Sequence, residues 1–156
     1  MTVKYEIDTL DRQILTILLN EARTPFIEIA RTLSVSGGTI HQRVDRMKAS
    51  GLIKGSSLSL DLTILGFDVT VFLGIHLVSS KATNRVIRKL EELSEVVEAY
   101  YTTGNYALLV KVHTKNIKNF HEFLINKLQA IDEIQATESF TSLSQPINRS
   151  ISSKEL

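Results

Sequence analysis

The chain has 156 residues and a formal net charge of only +1, with 43% hydrophobic and 22% charged residues, a balance that excludes a disordered protein and allows one or two small domains. It has no cysteine, which excludes disulfides and cysteine-ligated metals or clusters and fits a reducing cytoplasm. It has no run of about 18 apolar residues and no apolar core near its N-terminus, so we expect a cytoplasmic protein without a signal peptide or a membrane span.

The first predicted element is a helix over residues 7–20. Asp8 can cap its first turn, and Asp11, three residues later, completes the pattern of a capping box. Apolar residues recur at helical spacing and predict a broad stripe that packs on neighbouring elements. That stripe consists of Ile7, Leu10, Ile14 and Leu18, with Leu15 and Ile17 beside them.

Residues 24–51 predict two short helices joined by a tight turn. Pro25 suits the first position of the leading helix, because its missing N–H needs no partner there, and this makes Thr24 the expected cap. Ser36 is placed to cap the following helix, and Gly51 stands where a left-handed residue ends it. This is the layout of a helix-turn-helix that reads DNA. Most amphipathic helix pairs bind no DNA, so the spacing alone leaves that alternative open.

The second helix of this pair divides into a buried and an exposed face. Ile40, Val44 and Met47 share one side, since a helix advances about 100° per residue. The opposite side is polar, and the glycines at its start allow close approach of a phosphate. Between Arg31 and Lys54, five cations accompany one acid, a local net charge of +4. The candidate DNA-binding residues are Ser36, Gly38, Thr39, Gln42, Arg43, Arg46 and Lys48.

These candidates divide into base readers and phosphate contacts. Thr39 and Gln42 are the first choices for reading base edges, with Arg46 next, because they project from the side opposite the core. The contacts to phosphate are expected mainly from Ser36, Arg43 and Lys48.

The segment at residues 52–60 is predicted to be extended, because it alternates from Ser56 onward, and it could serve as a wing or as a linking strand. The composition changes after this segment. We therefore assign residues 1–60 to a winged helix-turn-helix domain and residues 61–145 to a second domain, followed by a polar tail at residues 146–156.

The second half of the chain predicts the element order β-α-β-β-α-β. Alternating apolar runs indicate the strands, and amphipathic segments between them indicate the helices. This order is that of a ferredoxin-like domain, an antiparallel four-stranded sheet with both helices on one face. The expected fold class is therefore α+β, an N-terminal winged helix-turn-helix followed by a ferredoxin-like βαββαβ domain of the RAM or ACT type. The strands are predicted at residues 68–78, 96–103, 106–113 and 134–143, and the helices at residues 81–93 and 117–130.

Two further expectations concern the sheet. Gly104 and Asn105 together signal a tight hairpin turn, and Tyr106 is expected to align with Leu108 along the third strand. The face that the helices leave open is apolar and therefore predicts a partner, most simply a second copy of the same sheet. The residues with the parity of that face are Phe72, Val78, Tyr100 and Leu109.

A helix-turn-helix joined to a βαββαβ domain resembles the Lrp/AsnC family of prokaryotic transcription regulators, and the resemblance covers essentially the whole chain. Many short stretches match in order across both domains. The last of them are most similar to the asparagine-responsive branch of the family. The matching stretches are Leu10–Leu15, Ala22–Thr24, Gly38–His41, Arg43–Val44, Leu65–Val69, Tyr100–Tyr106, Leu124–Lys127, Ile131–Gln135 and Thr137–Glu138.

The resemblance implies a homodimer that forms through the C-terminal sheets, often assembles into an octamer, and associates with double-stranded DNA of the nucleoid. It also implies an amino-acid effector bound between subunits of adjoining dimers, with asparagine as the first expectation. Hydroxyls, glycine N–H groups and a carboxylate suit the two ends of such a zwitterion. The positions that the resemblance assigns to the effector are Tyr101, Thr103, Gly104, Asn105 and Tyr106 at the hairpin, and Gln135, Thr137 and Glu138 near the final strand.

An enzyme is the main alternative class, since ferredoxin-like domains also host catalysis. The four histidines show neither metal-ligand spacing nor pairing with a nucleophile, and no glycine-rich phosphate loop is present, so we expect neither catalysis nor a metal or cofactor. An architectural protein that wraps DNA without a ligand response is harder to separate, because its assembly would be the same. The expected function is a sequence-specific transcriptional regulator that responds to an amino acid.

Overall fold

The structure is a computed structural model that describes residues 5–149 and 151. Contacts divide this part of the chain into two compact units. One contains the described residues up to Ser59 and from Ile147 onward, and the other spans Leu60–Pro146. Residues 1–4 of the predicted first domain, and most of the predicted tail, lie outside the described residues.

The first unit contains three helices, α1 (Thr9–Asn20), α2 (Phe26–Thr32) and α3 (Gly37–Ala49). Their apolar residues, repeated at helical spacing, form one common core, because burying these stripes against each other removes them from water. The predicted buried face of α3 is confirmed. The residues of this core with at most 2% exposure are Ile14, Ile29, Ala30, Ile40, Val44 and Met47.

A side-chain hydrogen bond caps the start of α1 but not that of α2. The Asp8 carboxylate accepts from the N–H of Asp11 at 2.9 Å, and the Asp11 carboxylate accepts from the N–H of Asp8 at 3.3 Å, which confirms the capping box. The prediction that Thr24 caps α2 is wrong. Pro25 is the N-cap residue, and the Thr24 hydroxyl instead donates to the carbonyl of Glu21 at 2.8 Å.

The turn between α2 and α3 is closed by backbone geometry. Ser34 has a φ of 55°, in the left-handed region that glycine adopts most easily. The N–H of Val35 then donates to the carbonyl of Ala30 at 3.0 Å. Gly51 ends the three-helix region with a φ of 78°, as its position predicts.

The segment at residues 52–60 forms no strand in the described structure. A strand needs a neighbour to pair its N–H and C=O groups, and the described part of one chain forms no ladder with this segment. Ile53 packs on the core of the first unit, and its N–H donates to the carbonyl of Met47 at 3.2 Å. The single chain therefore shows no ladder for this segment, and its role as a wing or a linking strand stays a prediction.

The second unit contains four strands, β1 (Val69–Leu77), β2 (Val96–Tyr101), β3 (Leu108–Thr114) and β4 (Ile134–Thr141). All neighbours are antiparallel, in the order β2-β3-β1-β4. Helix α4 (Thr83–Glu91) follows a short 3₁₀ turn, and α5 (Ile117–Phe123) continues as a π-helical turn over Leu124–Leu128. The predicted ferredoxin-like βαββαβ fold is confirmed.

One face of this sheet is buried by both helices. Alternate residues of β1 and β3 pack against α4 and α5 and form the second core of the molecule. The opposite face carries no helix of the described chain, so Phe72 and Tyr100 remain 38% and 55% exposed. The central residues of this second core are Val71, Leu73, Ile75, Val86, Leu90, Leu108, Val110, Phe123 and Leu128.

The connection between β2 and β3 is longer than predicted. The last ladder pair joins Tyr101 to Leu108, and the N–H of Thr102 donates to the carbonyl of Ala107 at 3.1 Å. Residues 102–107 therefore form a wide loop, and the prediction of a two-residue turn at Gly104 and Asn105 is wrong. The ladder begins only at Leu108, so the strand alternation does not extend back to Tyr106.

Candidate DNA-reading helix and effector site

The start of α3 is ordered by two hydroxyls. The Ser36 hydroxyl accepts from the N–H of Thr39 at 3.1 Å and lies 2.8 Å from the Thr39 hydroxyl. Gly38 is exposed, and a Cβ there would meet only the Ser36 oxygen, at 3.8 Å. The fold of the described residues thus does not demand a glycine at this point, whereas a molecule approaching the helix end would benefit from the missing side chain.

The exposed face of α3 carries Thr39, Gln42 and Arg46. The helical advance of about 100° per residue places all three within about 60° of each other. Gln42 and Arg46 are exposed and Thr39 is half-buried. The Arg46 guanidinium lies 5.9 Å from the centre of the Tyr5 ring, the distance of a cation–π contact. Three side chains with hydrogen-bonding capacity therefore face solvent from one side of a helix whose other side is core.

Arg43 is occupied by protein carboxylates. Its Nη1 donates to Asp8, and the same nitrogen lies 3.2 Å from Oδ1 of Asp11. Asp11 is 1% exposed and also accepts from the Tyr5 hydroxyl at 2.9 Å. The sequence suggested Arg43 as a phosphate contact, and the structure instead joins it to the start of α1. The spacing of Asp8 and Asp11 predicts only capping residues and does not show that they face α3.

The electrostatics of this cluster follow from the same contacts. The hydrogen bond from the N–H of Asp11, and then the Arg43 guanidinium, lower the pKa of Asp8. Burial, and next the hydrogen bond to Asp11, raise the pKa of Tyr5. The hydrogen bond to Asp8 raises the pKa of Arg43 above its already high value. At neutral pH the cluster therefore holds an ionised Asp8, a protonated Arg43 and a neutral Tyr5.

Lys48 lies apart from the exposed reading face. It follows Arg46 by two residues, about 200° around the helix, so the two side chains leave opposite sides of α3. There it borders a groove of about 390 Å³ within the first unit. The apolar residues that line the groove are Leu15, Leu18, Leu19, Ala22, Phe26, Val44, Leu52 and Ile53.

In the second unit, Tyr106 crosses the open face of the sheet. Its ring lies over Gly74, where an added Cβ would come within 2.5 Å of the ring. The ring meets His76 and Phe140 edge-on, at centroid distances of 5.2 and 6.3 Å. The predicted alignment of Tyr106 with Leu108 is therefore wrong, because Leu108 belongs to the buried face.

The hydroxyl of Tyr106 donates to the carboxylate of Glu138 on β4, so the structure brings together two of the predicted effector residues. This hydrogen bond raises the pKa of Tyr106. Glu138 is paired with Gly74 in the ladder, and Thr137 with Ile75, so the side chains of Glu138 and Thr137 leave opposite faces of β4. The strand pattern does not predict the contact between Gly74 and the Tyr106 ring, which only the three-dimensional structure shows.

The remaining predicted effector residues surround the same end of the sheet. Tyr101, Thr103, Gly104 and Asn105 are exposed at the loop between β2 and β3. Gln135 lies where the register of β1 and β4 shifts, on the other side of β1. Within the described residues of one chain, the eight positions do not converge on one enclosed cavity.

A polar cleft of about 590 Å³, which the sequence did not predict, lies at the opposite end of the sheet. Its wall contains the ion pair of Lys127 and Glu95, at 2.6 Å. Although burial raises the pKa of Glu95, the hydrogen bond from Lys127 lowers it overall. The ring of His113 lies 2.9 Å from the Thr70 hydroxyl, and burial lowers its pKa.

Two other kinds of site are absent from the described residues. Among residues 5–149 and 151, no cluster of three or more His, Cys, Asp or Glu side chains could hold a metal ion. None of the helices described there is long and apolar enough to cross a membrane.

Comparison with known families assigns a class to each unit. The pattern of a winged helix-turn-helix DNA-binding domain matches residues 7–54. The pattern of the Lrp/AsnC ligand binding domain matches residues 70–151. Together with the fold, these matches define a transcriptional regulator with a DNA-binding part and a ligand-binding part.

Individual relatives make the assignment more specific. The chain is 51% identical to regulatory protein AsnC of Haemophilus influenzae over 147 residues, which cover 94% of this chain and 98% of that protein. It superimposes on the structure of Escherichia coli AsnC with a TM-score of 0.90 and 47% identity, over 95% of this chain and 99% of that one. The chain belongs to the Lrp/AsnC family.

A more distant structure shares the fold alone. A transcriptional regulator of Neisseria meningitidis, solved as a complex with L-methionine, superimposes with a TM-score of 0.86 at 16% identity, over 92% of this chain and 94% of that one. That regulator binds an amino acid.

Proposed function

We propose that this protein is a sequence-specific DNA-binding regulator that works in the cytoplasm and whose DNA affinity or assembly is modulated by an amino acid, with asparagine as the effector. We propose no catalytic activity for it. The observation that carries the proposal is the exposed face of α3 formed by Thr39, Gln42 and Arg46. A capped helix, packed on its own core, presents hydrogen-bonding side chains that have the reach to meet base edges.

The DNA-binding step uses two copies of α3. A dimer places its two reading helices in successive major grooves, about 34 Å apart, as other dimeric helix-turn-helix proteins do. Gln42 suits adenine and Arg46 suits guanine, because each can form a bidentate pair with that base, and Thr39 can contact either. Ser36 contacts a phosphate at the edge of the major groove, and Gly38 allows the backbone close to the DNA strand.

The effector step uses the loop between β2 and β3 together with β4. Glu138 supplies a carboxylate for the α-ammonium group of the amino acid, and the backbone N–H groups around Gly104 suit its carboxylate. Asn105, Gln135 and Thr137 offer both donors and acceptors for a side-chain amide. Because the loop and β4 do not enclose a cavity in one chain, the site is completed by a second subunit.

Assembly rests on the open face of the sheet. Phe72, Tyr100 and Phe140 are 38%, 55% and 44% exposed there, and a second copy of the same face would cover them in a symmetric dimer. Four such dimers then form an octamer around which DNA bends. The effector changes DNA binding only if it binds two states of this assembly with different affinity.

Two measurements test the proposal. Gel shifts with a duplex selected by the protein from a random pool should show a complex that a scrambled duplex competes for poorly. Calorimetry against the twenty amino acids should show binding of asparagine, which then changes the gel shift. Specific DNA binding without a response to any amino acid would favour the alternative function, an architectural protein that wraps DNA.

A further inference from the structure

Asp11 is the most deeply buried charged side chain of the first unit's described part, at 1% exposure. Its carboxylate accepts three hydrogen bonds: from the Tyr5 hydroxyl at 2.9 Å, from Arg43 at 3.2 Å and from the N–H of Asp8 at 3.3 Å. A buried carboxylate is tolerated only when such partners replace its lost water. Arg43 is the partner that comes from α3, so this contact joins the start of α1 to the middle of the reading helix.

The Arg43 side chain cannot serve this contact and a phosphate equally. Its Nη1 is shared between Asp8 and Asp11, and the side chain is 26% exposed. Moving the guanidinium to DNA would leave the buried Asp11 carboxylate without its positive partner, which is strongly unfavourable. DNA contact by Arg43 would therefore oppose the packing of α3 on α1.

Tyr5 connects the same cluster to the reading face. Its hydroxyl donates to Asp11, and its ring lies 5.9 Å below the guanidinium of Arg46. Arg46 is exposed, so little else in the described chain restricts the long side chain. The ring limits the directions that the Arg46 guanidinium takes before DNA arrives, which reduces the conformational entropy lost on binding.

We propose that Tyr5, Asp11 and Arg43 form a positioning cluster: Arg43 fixes α3 against α1 without contacting phosphate, and Tyr5 holds Arg46 toward the base edges. The inference rests on the proposed DNA-binding function and assigns to the segment before α1 a part in sequence recognition.

The salt dependence of DNA affinity tests the role of Arg43. Each phosphate contact that is lost lowers the slope of log K against log salt by about 0.9. Arg43→Met is compared with the wild type on the selected duplex between about 50 and about 200 mM salt. Arg43→Met should lose about tenfold or more in affinity with the wild-type slope, because no phosphate contact is lost. A slope lowered by about one in Arg43→Met, or an unchanged affinity, would overturn the inference.

A pair of Tyr5 variants tests the role of the ring. This test remains available if Arg43→Met does not fold. Tyr5→Phe keeps the ring and loses the hydroxyl, whereas Tyr5→Leu loses both. Tyr5→Leu should lower the preference for the selected over the scrambled duplex several-fold, and Tyr5→Phe should keep most of that preference.

The same Tyr5→Leu change is then made in an Arg46→Met background. If the ring acts through Arg46, it should have no further effect on preference there, since coupled residues are not additive. An equal loss of preference in both backgrounds would overturn the assignment of Tyr5. Failure of the wild-type protein to prefer the selected duplex is a different result, because it would remove the DNA-binding proposal itself.

Discussion

The reading face of α3 and the effector residues of the second unit are built in opposite ways. Thr39, Gln42 and Arg46 lie on one helix, so their common direction follows from their spacing alone. Tyr106 and Glu138 come from a loop and from a distant strand, and they meet only because β1 offers Gly74 between them. The first surface is complete within one helix, whereas the second is divided over three elements of one chain.

This difference has a consequence for how each surface responds to change. A substitution on the reading face alters one contact and leaves its neighbours in place, because the core on the other side of α3 maintains the helix. A substitution at the effector residues alters packing across the open sheet face, where Tyr106 contacts Gly74, His76 and Phe140. Effects on DNA should therefore be separable from stability, and effects on the effector should not always be.

The largest expected effect concerns Glu138. Replacing Glu138 by Gln removes the charge that pairs with the effector ammonium, and a hydrogen bond to a charged group contributes about 1.5–3 kcal/mol. We expect about a tenfold to a hundredfold loss of asparagine affinity by calorimetry, with DNA binding in the absence of effector unchanged. Glu98→Gln is the matched control, since Glu98 also accepts from a tyrosine hydroxyl, that of Tyr100 at 2.7 Å. An equal loss in both variants would show that the open face, and not the ligand contact, is responsible.

The next effect tests the reading face. Arg46→Ala should lower affinity for the selected duplex about tenfold and relax the preference at one base position, because a bidentate base contact is worth about 1–3 kcal/mol. Arg31→Ala removes an exposed cation of the same basic segment and serves as the control for net charge. Gel shifts on selected and scrambled duplexes measure both. Unchanged preference in Arg46→Ala would remove Arg46 from the base-reading set.

The two surfaces also differ in how far the sequence predicts them. The helices of the first unit, the capping box at Asp8 and the left-handed turn at Gly51 depend on neighbouring residues, so local patterns are sufficient. The βαββαβ order follows for the same reason, since each strand and helix carries its own periodicity. A linking strand at residues 52–60 cannot be predicted in this way, because a strand depends on a partner that the local pattern cannot supply.

Local patterns predict poorly the side chains whose partners lie far away in the sequence. Arg43 has the charge and the helix position expected of a phosphate contact, and only the fold shows that Asp11 lies opposite it. The alternation of apolar residues predicts that Tyr106 shares a sheet face with Leu108. The ladder starts only at Leu108, and the Tyr106 ring lies on the opposite, open face. A glycine inside a strand, such as Gly74, often marks the close approach of another group, but only the structure identifies that group as the Tyr106 ring.

A smaller effect on stability and on asparagine affinity is expected from a change at Gly74, beneath the Tyr106 ring. In Gly74→Ala the new Cβ would come within 2.5 Å of the Tyr106 ring, so the ring must move or the strand must shift. Overpacking of this kind costs about 1–3 kcal/mol, and we expect the lower end because Tyr106 lies on a loop. A thermal melt should show a fall of several degrees, and asparagine affinity should fall with it.

Gly104→Ala is the matched control for this change, because nothing lies within 4 Å of a Cβ at that position. Adding Tyr106→Ala to Gly74→Ala should bring the melting temperature to that of Tyr106→Ala alone, because the clash is gone, while the effector affinity stays low. A Gly74→Ala protein with normal stability and normal asparagine binding would show that the Tyr106 ring has no fixed place on the sheet.

The smallest expected effect is a pH dependence at the start of α1. The hydrogen bond from the N–H of Asp11 and the contact with Arg43 lower the pKa of Asp8 in the folded protein. A carboxyl group whose folded pKa lies below its unfolded value of about 3.9 contributes stability above that value and loses it as the pH falls through the folded pKa. Asp8→Asn keeps a side chain that can cap the helix but removes the charge. Urea denaturation should therefore show the wild type as the more stable protein at neutral pH, with the difference disappearing below about pH 4. A difference that persists unchanged into strong acid would mean that Asp8 acts only as a cap, and the ion pair with Arg43 would then contribute nothing to the contact between α1 and the reading helix.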